Sequence, residues 1–524
     1  MGEKRIVVIG AGISGLVAIK SCLEMGFKPC CFEKQSSIGG VWVYDEHINR
    51  GEASAMYDNL VTNTSKEMMC FSDFSFPEDY PPYLLIHHVI KYLRDYAKHY
   101  DLEKYICFDT DVTGVKPVSD SAIVGQWNVT TRSLEGQAVT TVFDGVMVCT
   151  GVHSNVIMPT FPGMDEFKGQ VVHSNAFRKG ETVSGKNVLV IGASHSAGDI
   201  STQCSYYANM TYICMRSGCY LLSRRGPKGQ PLDSLVSRGT LHVPECIQAM
   251  VIQRMFESRA DFDSLGVRST KSIFTASKIM CDTFPDRIMN GTIKVKDNVK
   301  MFTKTCVKFV DGTYIDNIDI VICATGYRTT FPFLDPDIFD DTRFELYKHI
   351  LSPKYPTLAF IGIISVLGGA TSPVAELQAR WATSVFSGNL RIPELPTRQR
   401  DAKHRIDSLI KRHGFLKLAI SHLPYQEELA GDIGARPSYA LFLTDPKLAA
   451  KVFFGPAYPS SYRLQGPHQW PGARKAIMNA WENTVNPTKT RQLDVQNHAS
   501  IFKPLLVVTV SFLIMFIVYY ISNF

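Results

Sequence analysis

Two stretches of the chain share one order of apolar and polar positions. Ile6-Val7-Val8-Ile9 is a short unbroken apolar run that stops at Gly10, and Leu16 to Phe27 then carries apolar residues at helical spacing. Val188-Leu189-Val190-Ile191 stops in the same way at Gly192 and leads toward Ser196 to Ser201. An unbroken run bounded by glycine predicts a strand buried on both faces, and the longer period after it predicts a helix directly behind the turn. Each unit continues into a second strand, Lys28 to Glu33 in the first and Thr211 to Gly218 in the other. Two further apolar runs, Asp144 to Gly151 and Ile318 to Tyr327, also close on a glycine turn. Strands alternating with helices in this way predict an α/β fold.

Two other patterns stand apart from these units. After Pro244, Ile247, Met250, Val251 and Met255 recur at helical spacing with Gln248, Gln253 and Arg254 between them. The expectation is a helix packed on the core, the alternative being a face toward a membrane or a substrate channel. Leu505 to Ile521 carries no charge over 17 residues, a length of roughly 25 Å as a helix and close to a thin bilayer core. Tyr519 and Tyr520 near one end, with Lys489, Arg491 and Lys503 before the other, complete the pattern of a transmembrane anchor.

Composition narrows the function classes. A chain of 524 residues, 45% hydrophobic and 20% charged, is long enough for two or three globular domains. Its net charge of +6 is too small at this length for a nucleic-acid binder. The 13 cysteines include no C-x-x-C and no Cys/His cluster with ligand spacing, so no metal site is expected and the thiols read as reduced and mostly buried in a cytosol-facing protein. The opening apolar run is too short for a secretory signal, so the sequons at Asn63, Asn128, Asn209 and Asn290 are expected to stay unused.

The two glycine turns carry the candidate chemistry. In Gly10-Ala11-Gly12-Ile13-Ser14-Gly15, the first glycine permits the turn, the second lets a pyrophosphate approach the backbone, and the third lets helix and strand pack. Glu33 follows near the spacing at which a carboxylate meets a ribose hydroxyl. In the second loop Gly192 and Ala197 hold the first and third positions, while Ser194 replaces the second glycine. Serine adds bulk near a phosphate, yet its hydroxyl can donate to the same anion. No acid ends the second strand of this unit; Arg216 stands there by analogy with Glu33, which suits the 2′-phosphate of NADPH. A solvated arginine is the other reading of Arg216, and Arg224 and Arg225 compete for the role. One loop would then hold one dinucleotide and the other a nicotinamide cofactor that reduces it, and since no C-x-x-C of the kind disulfide reductases use is present, oxygen is the expected acceptor.

Longer motifs give these loops a family. Gly39, Gly40, Val41 and Trp42 after the acid form a pattern similar to that of FAD-binding oxidoreductases. Phe167-x-Gly169-x-x-x-His173-x-x-x-Phe177 matches the F-x-G-x-x-x-H-x-x-x-[FY] signature of flavin monooxygenases, although all three side chains also read as structural. With Cys323 to Tyr327, Thr62 to Phe71, Glu376 to Trp381 and Gly466 to Arg474, the chain resembles the flavin-containing monooxygenases throughout, and most of all their membrane-anchored animal members. The second loop departs from the G-x-G-N-S-G of many of these toward a G-x-S-x-S-A form, which bears on NADPH affinity.

The resemblance implies two dinucleotide-binding (Rossmann-like) domains, the FAD domain being interrupted by the NADPH domain. Its parts would be residues 1–165 and 328–488 for FAD, 166–327 with an insertion near 226–298 for NADPH, and 505–521 for the anchor. Gly10 to Gly15, Glu33, Gly40, Val41, Trp42, Thr62, Asn63 and Thr64 would line the flavin. Gly192, Ser194, Ser196, Ala197, Gly198, Asp199 and Arg216 would hold NADPH. Asn63 would also be catalytic through its amide, unless Thr64 and Glu67 form a capping box and leave it a helix-entry residue. The chemistry implied is formation of a C4a-hydroperoxyflavin that oxygenates an amine nitrogen or a sulfide sulfur, as in xenobiotic metabolism. NADPH oxidase activity, Baeyer–Villiger oxidation and a membrane-tethered non-catalytic form remain alternatives. Molecular oxygen, a small nucleophile and membrane lipid are the partners implied, without nucleic acid and with room for a homo-oligomer, at the endoplasmic reticulum membrane with the catalytic part facing the cytosol.

Overall fold

A computed structural model describes residues 3–44, 56–118, 125–134, 136–153 and 155–491. Both predicted units are present, and each builds one five-stranded parallel sheet around its first strand. The first sheet runs Leu358–Phe360, Gly145–Val148, Arg5–Ile9, Lys28–Phe32, Ile106–Cys107. The second runs Ile293–Lys296, Met210–Cys214, Asn187–Ile191, Ile320–Cys323, Gln170–His173. Both central strands are buried on both faces, which is why they read as unbroken apolar runs rather than as alternations.

The chain leaves the first sheet after Val148 and returns to it at Leu358, so the whole second sheet is nested between neighbouring strands of the first. Exit and return lie side by side as a two-strand antiparallel ribbon, with Tyr327 opposite Val156 and Arg328 opposite Asn155. Antiparallel sheets flank each unit: Thr110–Pro117, Trp127–Ser133 and Ala138–Phe143 beside the first, and Val299–Phe302, Cys306–Phe309 and Tyr314–Asp316 beside the second. All 13 cysteines are free thiols, most of them buried.

One pattern was resolved differently from its expectation. Glu245–Glu257 is a helix, but Ile247, Met250 and Val251 are exposed on it. Ala249, Ile252, Met255 and Phe256 face the core instead, so the stripe that covers the core is offset around the helix from the one read in the sequence. Among the described residues no helix is long and apolar enough to cross a membrane. The expected anchor at 505–521 lies outside the described residues.

Candidate functional site

In the first loop the three glycines answer to three different constraints. Gly10 has φ +99°, and a Cβ there would stand 2.9 Å from the Cys149 carbonyl oxygen. A Cβ on Gly15 would stand 1.9 Å from the Gly10 oxygen, which leaves no side chain room between helix Ile13–Glu24 and its strand. Gly12 differs: its φ is −76° and the nearest atom to an added Cβ is the Gly40 α-carbon at 3.7 Å. Neither the backbone nor the packing requires glycine at that place. Gly12 and Gly40 turn bare α-carbons toward each other at the head of a helix, a cradle whose free backbone amides suit a pyrophosphate. The residues present therefore fit a dinucleotide.

Glu33 lies at the strand end as expected and is buried. Its carboxylate accepts the Ala11 amide at 2.6 Å and the Gln35 amide at 2.9 Å. Burial raises its pKa, opposed by these two bonds. It pins the loop and keeps lone pairs for a ribose hydroxyl. Ser14 is buried against Gly362. Gly40–Trp42 form a short turn, and Trp42 lines a cavity of about 310 Å³ with Ile86, Ile90 and Arg94.

The second loop repeats the backbone geometry of the first. Gly10 donates to the Phe32 carbonyl at 2.8 Å and Gly192 to the Cys214 carbonyl at 3.1 Å. A Cβ on Gly192 would stand 2.5 Å from the Ala324 oxygen. Ser194 opens helix His195–Cys204 with φ −107°, an extended conformation open to any residue, and its exposed side chain caps nothing. The serine thus strains no backbone and leaves its hydroxyl for a phosphate. Ala197 is fully buried in the helix-packing position. Gly198 is also tightly placed, since a Cβ would meet Ile279 at 2.2 Å. Ser196 is half-buried in the first turn.

The register corrects one analogy. Ile9 pairs with Phe32 and Ile191 with Cys214, so the counterpart of Glu33 is Met215, a buried residue. Arg216 stands one place further on and is exposed. Its competitor Arg224 is otherwise engaged: it donates to the carbonyls of Thr62 at 2.9 Å and Val61 at 3.0 Å and to Oδ1 of Asn63 at 2.9 Å. Asp199 also has a protein partner, accepting the Tyr57 hydroxyl at 2.6 Å.

Arg224 settles how Asn63 is oriented. A guanidinium only donates, so the atom facing it is the amide oxygen. The NH2 group is left as a donor with no partner among the described residues. The capping box does not form: the short helix is Lys66–Met69 and opens at Ser65, whose amide and hydroxyl bond Asp233 at 2.6 and 2.9 Å. Thr62 is a structural residue, its hydroxyl donating to the Thr64 carbonyl and accepting the Leu84 amide. Asp199, Arg224 and Asp233 of the second unit thus hold this segment through hydrogen bonds to Tyr57, to Val61, Thr62 and Asn63, and to Ser65.

His173 is structural, as one of its readings had it. Nδ1 accepts the Asn175 amide, which leaves the proton on Nε2 for the Gly326 carbonyl at 3.1 Å. The motif locks the edge strand to the turn at Gly326. A buried ionic cluster had escaped the sequence reading. Arg463 pairs with Glu376 at 2.8 Å, Asp73 at 2.9 Å and Glu24 at 3.0 Å, and Lys20 pairs with Glu24 and Asp73. Lys20 and Glu24 belong to the helix behind the first loop. The available signal was Lys20 itself, a cation at an otherwise apolar stretch of that helix.

Relatives match this chain in sequence and in fold. The chain matches the family described as flavin-binding monooxygenase-like over residues 3–522. It is 41% identical over 516 residues to flavin-containing monooxygenase 5 of Cavia porcellus, covering 95% of each chain. It is 40% identical over 510 residues to dimethylaniline monooxygenase (N-oxide-forming) 2 of Oryctolagus cuniculus, covering 94% of this chain and 95% of that one. Among solved structures, an S-allyl-L-cysteine S-oxygenase from Allium sativum shares the fold at a TM-score of 0.64 and 23% identity, covering 93% of this chain and 99% of that one. A cyclohexanone-bound cyclohexanone monooxygenase does so at a TM-score of 0.59 and 17% identity, covering 82% and 97%. A glycine cradle at Gly12 and Gly40 that fits a dinucleotide, a matching second loop, and relatives alike over nearly the full length lead to one assignment: the chain is an enzyme of the flavin-binding monooxygenase-like family, a flavin-containing monooxygenase.

Proposed function

We propose that the enzyme uses NADPH and oxygen to oxygenate soft nucleophiles, amine nitrogen or sulfide sulfur, by way of a C4a-hydroperoxyflavin. FAD is held by residues 1–165 and 328–488, and NADPH by residues 166–327. Bound flavin supplies the redox chemistry and the activation of oxygen; the protein supplies positioning and exclusion of water. Gly12, Gly40 and Glu33 hold one dinucleotide. Ser194, Ser196 and the exposed Arg216 face the other.

The observation that carries this reading is Asn63. Arg224 fixes its oxygen and so presents its NH2 as a hydrogen-bond donor, the group needed to hold an oxygen-bearing reactant. Removing a donor of this kind costs roughly 1–3 kcal/mol, or about 5- to 150-fold in rate. Asn63→Ala is therefore expected to raise hydrogen peroxide release per enzyme by about that factor, with a matching loss of N- or S-oxide per NADPH consumed. Arg224→Met is expected to act in the same direction, because it frees the amide to turn. Unchanged peroxide release and product yield in both variants would reduce Asn63 to a structural residue. A wild-type enzyme that turns all its NADPH into peroxide is an oxidase.

The enzyme is further proposed to sit on the endoplasmic reticulum membrane, its catalytic part facing the cytosol, through the uncharged stretch 505–521. All the cofactor-facing residues precede that stretch. A chain ending before Leu505 is expected to keep its flavin and to leave the membrane fraction on centrifugation. Full pelleting of the truncated chain would move the attachment to another surface.

A further inference from the structure

A cluster of cations lies beside the second loop with almost no acid to balance it. Lys278, in the insertion of the second unit, is on strand Lys278–Met280, which pairs with Tyr220–Leu222 just before the insertion. Met280 at the end of that strand donates its amide to Nδ1 of His195, the first residue of the second dinucleotide helix, at 3.1 Å. From the other unit come Arg412 and His413, the last residues of helix Leu395–His413, and Lys417 just beyond it. Lys278 donates to the Ala276 carbonyl at 3.1 Å, and among the described residues neither it nor Lys271 or Lys417 has a carboxylate partner. Arg412 reaches an exposed one, Glu245, at 2.6 Å and lies over the Phe274 ring.

His413 adds an independent sign. Its side chain is only 7% exposed, and among the described residues neither ring nitrogen has a hydrogen-bond partner. A buried imidazole with two unpartnered nitrogens is unfavourable unless a group comes to meet it. All four cations act on that ring. Burial and the charges of Lys417 and Arg412 push the Lys278 ammonium down to about 8, and burial with Lys278, Arg224 and Lys417 holds His195 near 4 and neutral. With Nδ1 of His195 already accepting, its proton sits on Nε2 as a further donor. Like charges gathered in a half-buried place repel, and a dianion among them relieves the repulsion while accepting several charge-assisted bonds.

We propose that Lys278, Lys417 and Arg412, with Lys271 and the two histidines, form a phosphate-binding clamp between the insertion of the second unit and the C-terminal part of the first. The bound group is either a phosphate of the nicotinamide dinucleotide or free phosphate. Only the first of these sources rests on the proposed use of NADPH.

The test uses the full-chain flavoprotein and the variant Lys278→Gln/Lys417→Gln, which touches neither glycine loop nor Asn63. Inorganic phosphate is expected to raise the thermal unfolding midpoint of the wild type above that in chloride at equal ionic strength, and the variant should lose this difference while keeping its flavin absorbance. Calorimetric titration with NADP+ and NAD+ then separates the sources. If the clamp takes a cofactor phosphate that only NADP+ carries, the variant binds NADP+ about tenfold more weakly and NAD+ as before, a loss of about 1.4 kcal/mol. If it takes free phosphate, NADP+ affinity is unchanged and only the phosphate shift is lost. Phosphate stabilisation without NADP+ binding in the wild type would leave the clamp standing and remove the NADPH reading. The clamp is overturned if phosphate and chloride act alike on the wild type, or if the variant keeps the phosphate shift.

Discussion

Replacing Arg463 by methionine is expected to destabilise the enzyme by about 3–5 kcal/mol, the range for breaking one side of a buried ion pair. The guanidinium is 1% exposed and bridges Glu376, Asp73 and Glu24. Its removal leaves Glu24 and Asp73 to share Lys20 and leaves Glu376, 2% exposed, with no ion-pair partner among the described residues. Burial alone would raise the Glu376 pKa, but Arg463 and Lys20 hold it well below the usual carboxylate range, so losing the arginine also lets that carboxyl take up a proton. The folded pKa lies below the unfolded one. The stability it contributes is thus complete above the ordinary carboxylate range and is lost as pH falls below it. The measurement is the unfolding midpoint of the flavoprotein in urea, wild type against Arg463→Met and against Glu376→Gln/Arg463→Met. The double variant should regain part of the loss, because one stranded charge is gone. A single variant as stable as the wild type would show that the cluster is not what joins helix Ile13–Glu24 to the C-terminal part of the chain.

Two alanines in one loop should fail in different ways. Gly15→Ala puts a methyl 1.9 Å from the Gly10 carbonyl oxygen, so helix and strand must separate, and the expected product is a poorly folded chain without flavin. Gly12→Ala meets nothing closer than 3.7 Å. The protein itself accommodates that methyl, and only a ligand pressed against the α-carbon would object. Gly12→Ala is therefore expected to fold, with circular dichroism like the wild type, and to be purified colourless or with most of its FAD lost. Substoichiometric flavin restored by excess FAD would agree with this. A fully yellow Gly12→Ala enzyme would show that the pyrophosphate does not lie on this loop.

What the sequence disclosed and what it hid divide along physical lines. The two loops were legible because their constraints are local: a strand buried on both faces reads as an apolar run, and a turn at φ +99° calls for glycine. The partners of Arg224 were not legible. Its contacts fall on Val61, Thr62 and Asn63, far away along the chain, and nothing in local spacing distinguishes a strap from a phosphate ligand. Arg216 was misplaced by one residue because an analogy counted along the chain gives no strand register, whereas the pairing of Ile191 with Cys214 does. The helix Glu245–Glu257 was legible as a helix. Its buried side was not, since Ala249 and Ile252 compete with Ile247 and Met250 for the same pattern.

The nesting of one sheet inside the other also fixes an order of completion during synthesis. Every strand of the second sheet, from Gln170 to Cys323, emerges before Leu358–Phe360, the strand that pairs with Gly145–Val148 and closes the first sheet. The half of the protein that starts the chain is thus the last to be finished. Until translation has passed Phe360, Gly145–Val148 presents an unpaired edge, and Lys20 waits longer still for the arginine that balances its neighbours. The inner unit needs nothing downstream of its own return ribbon to pair all five of its strands, so nascent chains carry a completed second sheet attached to an open first one.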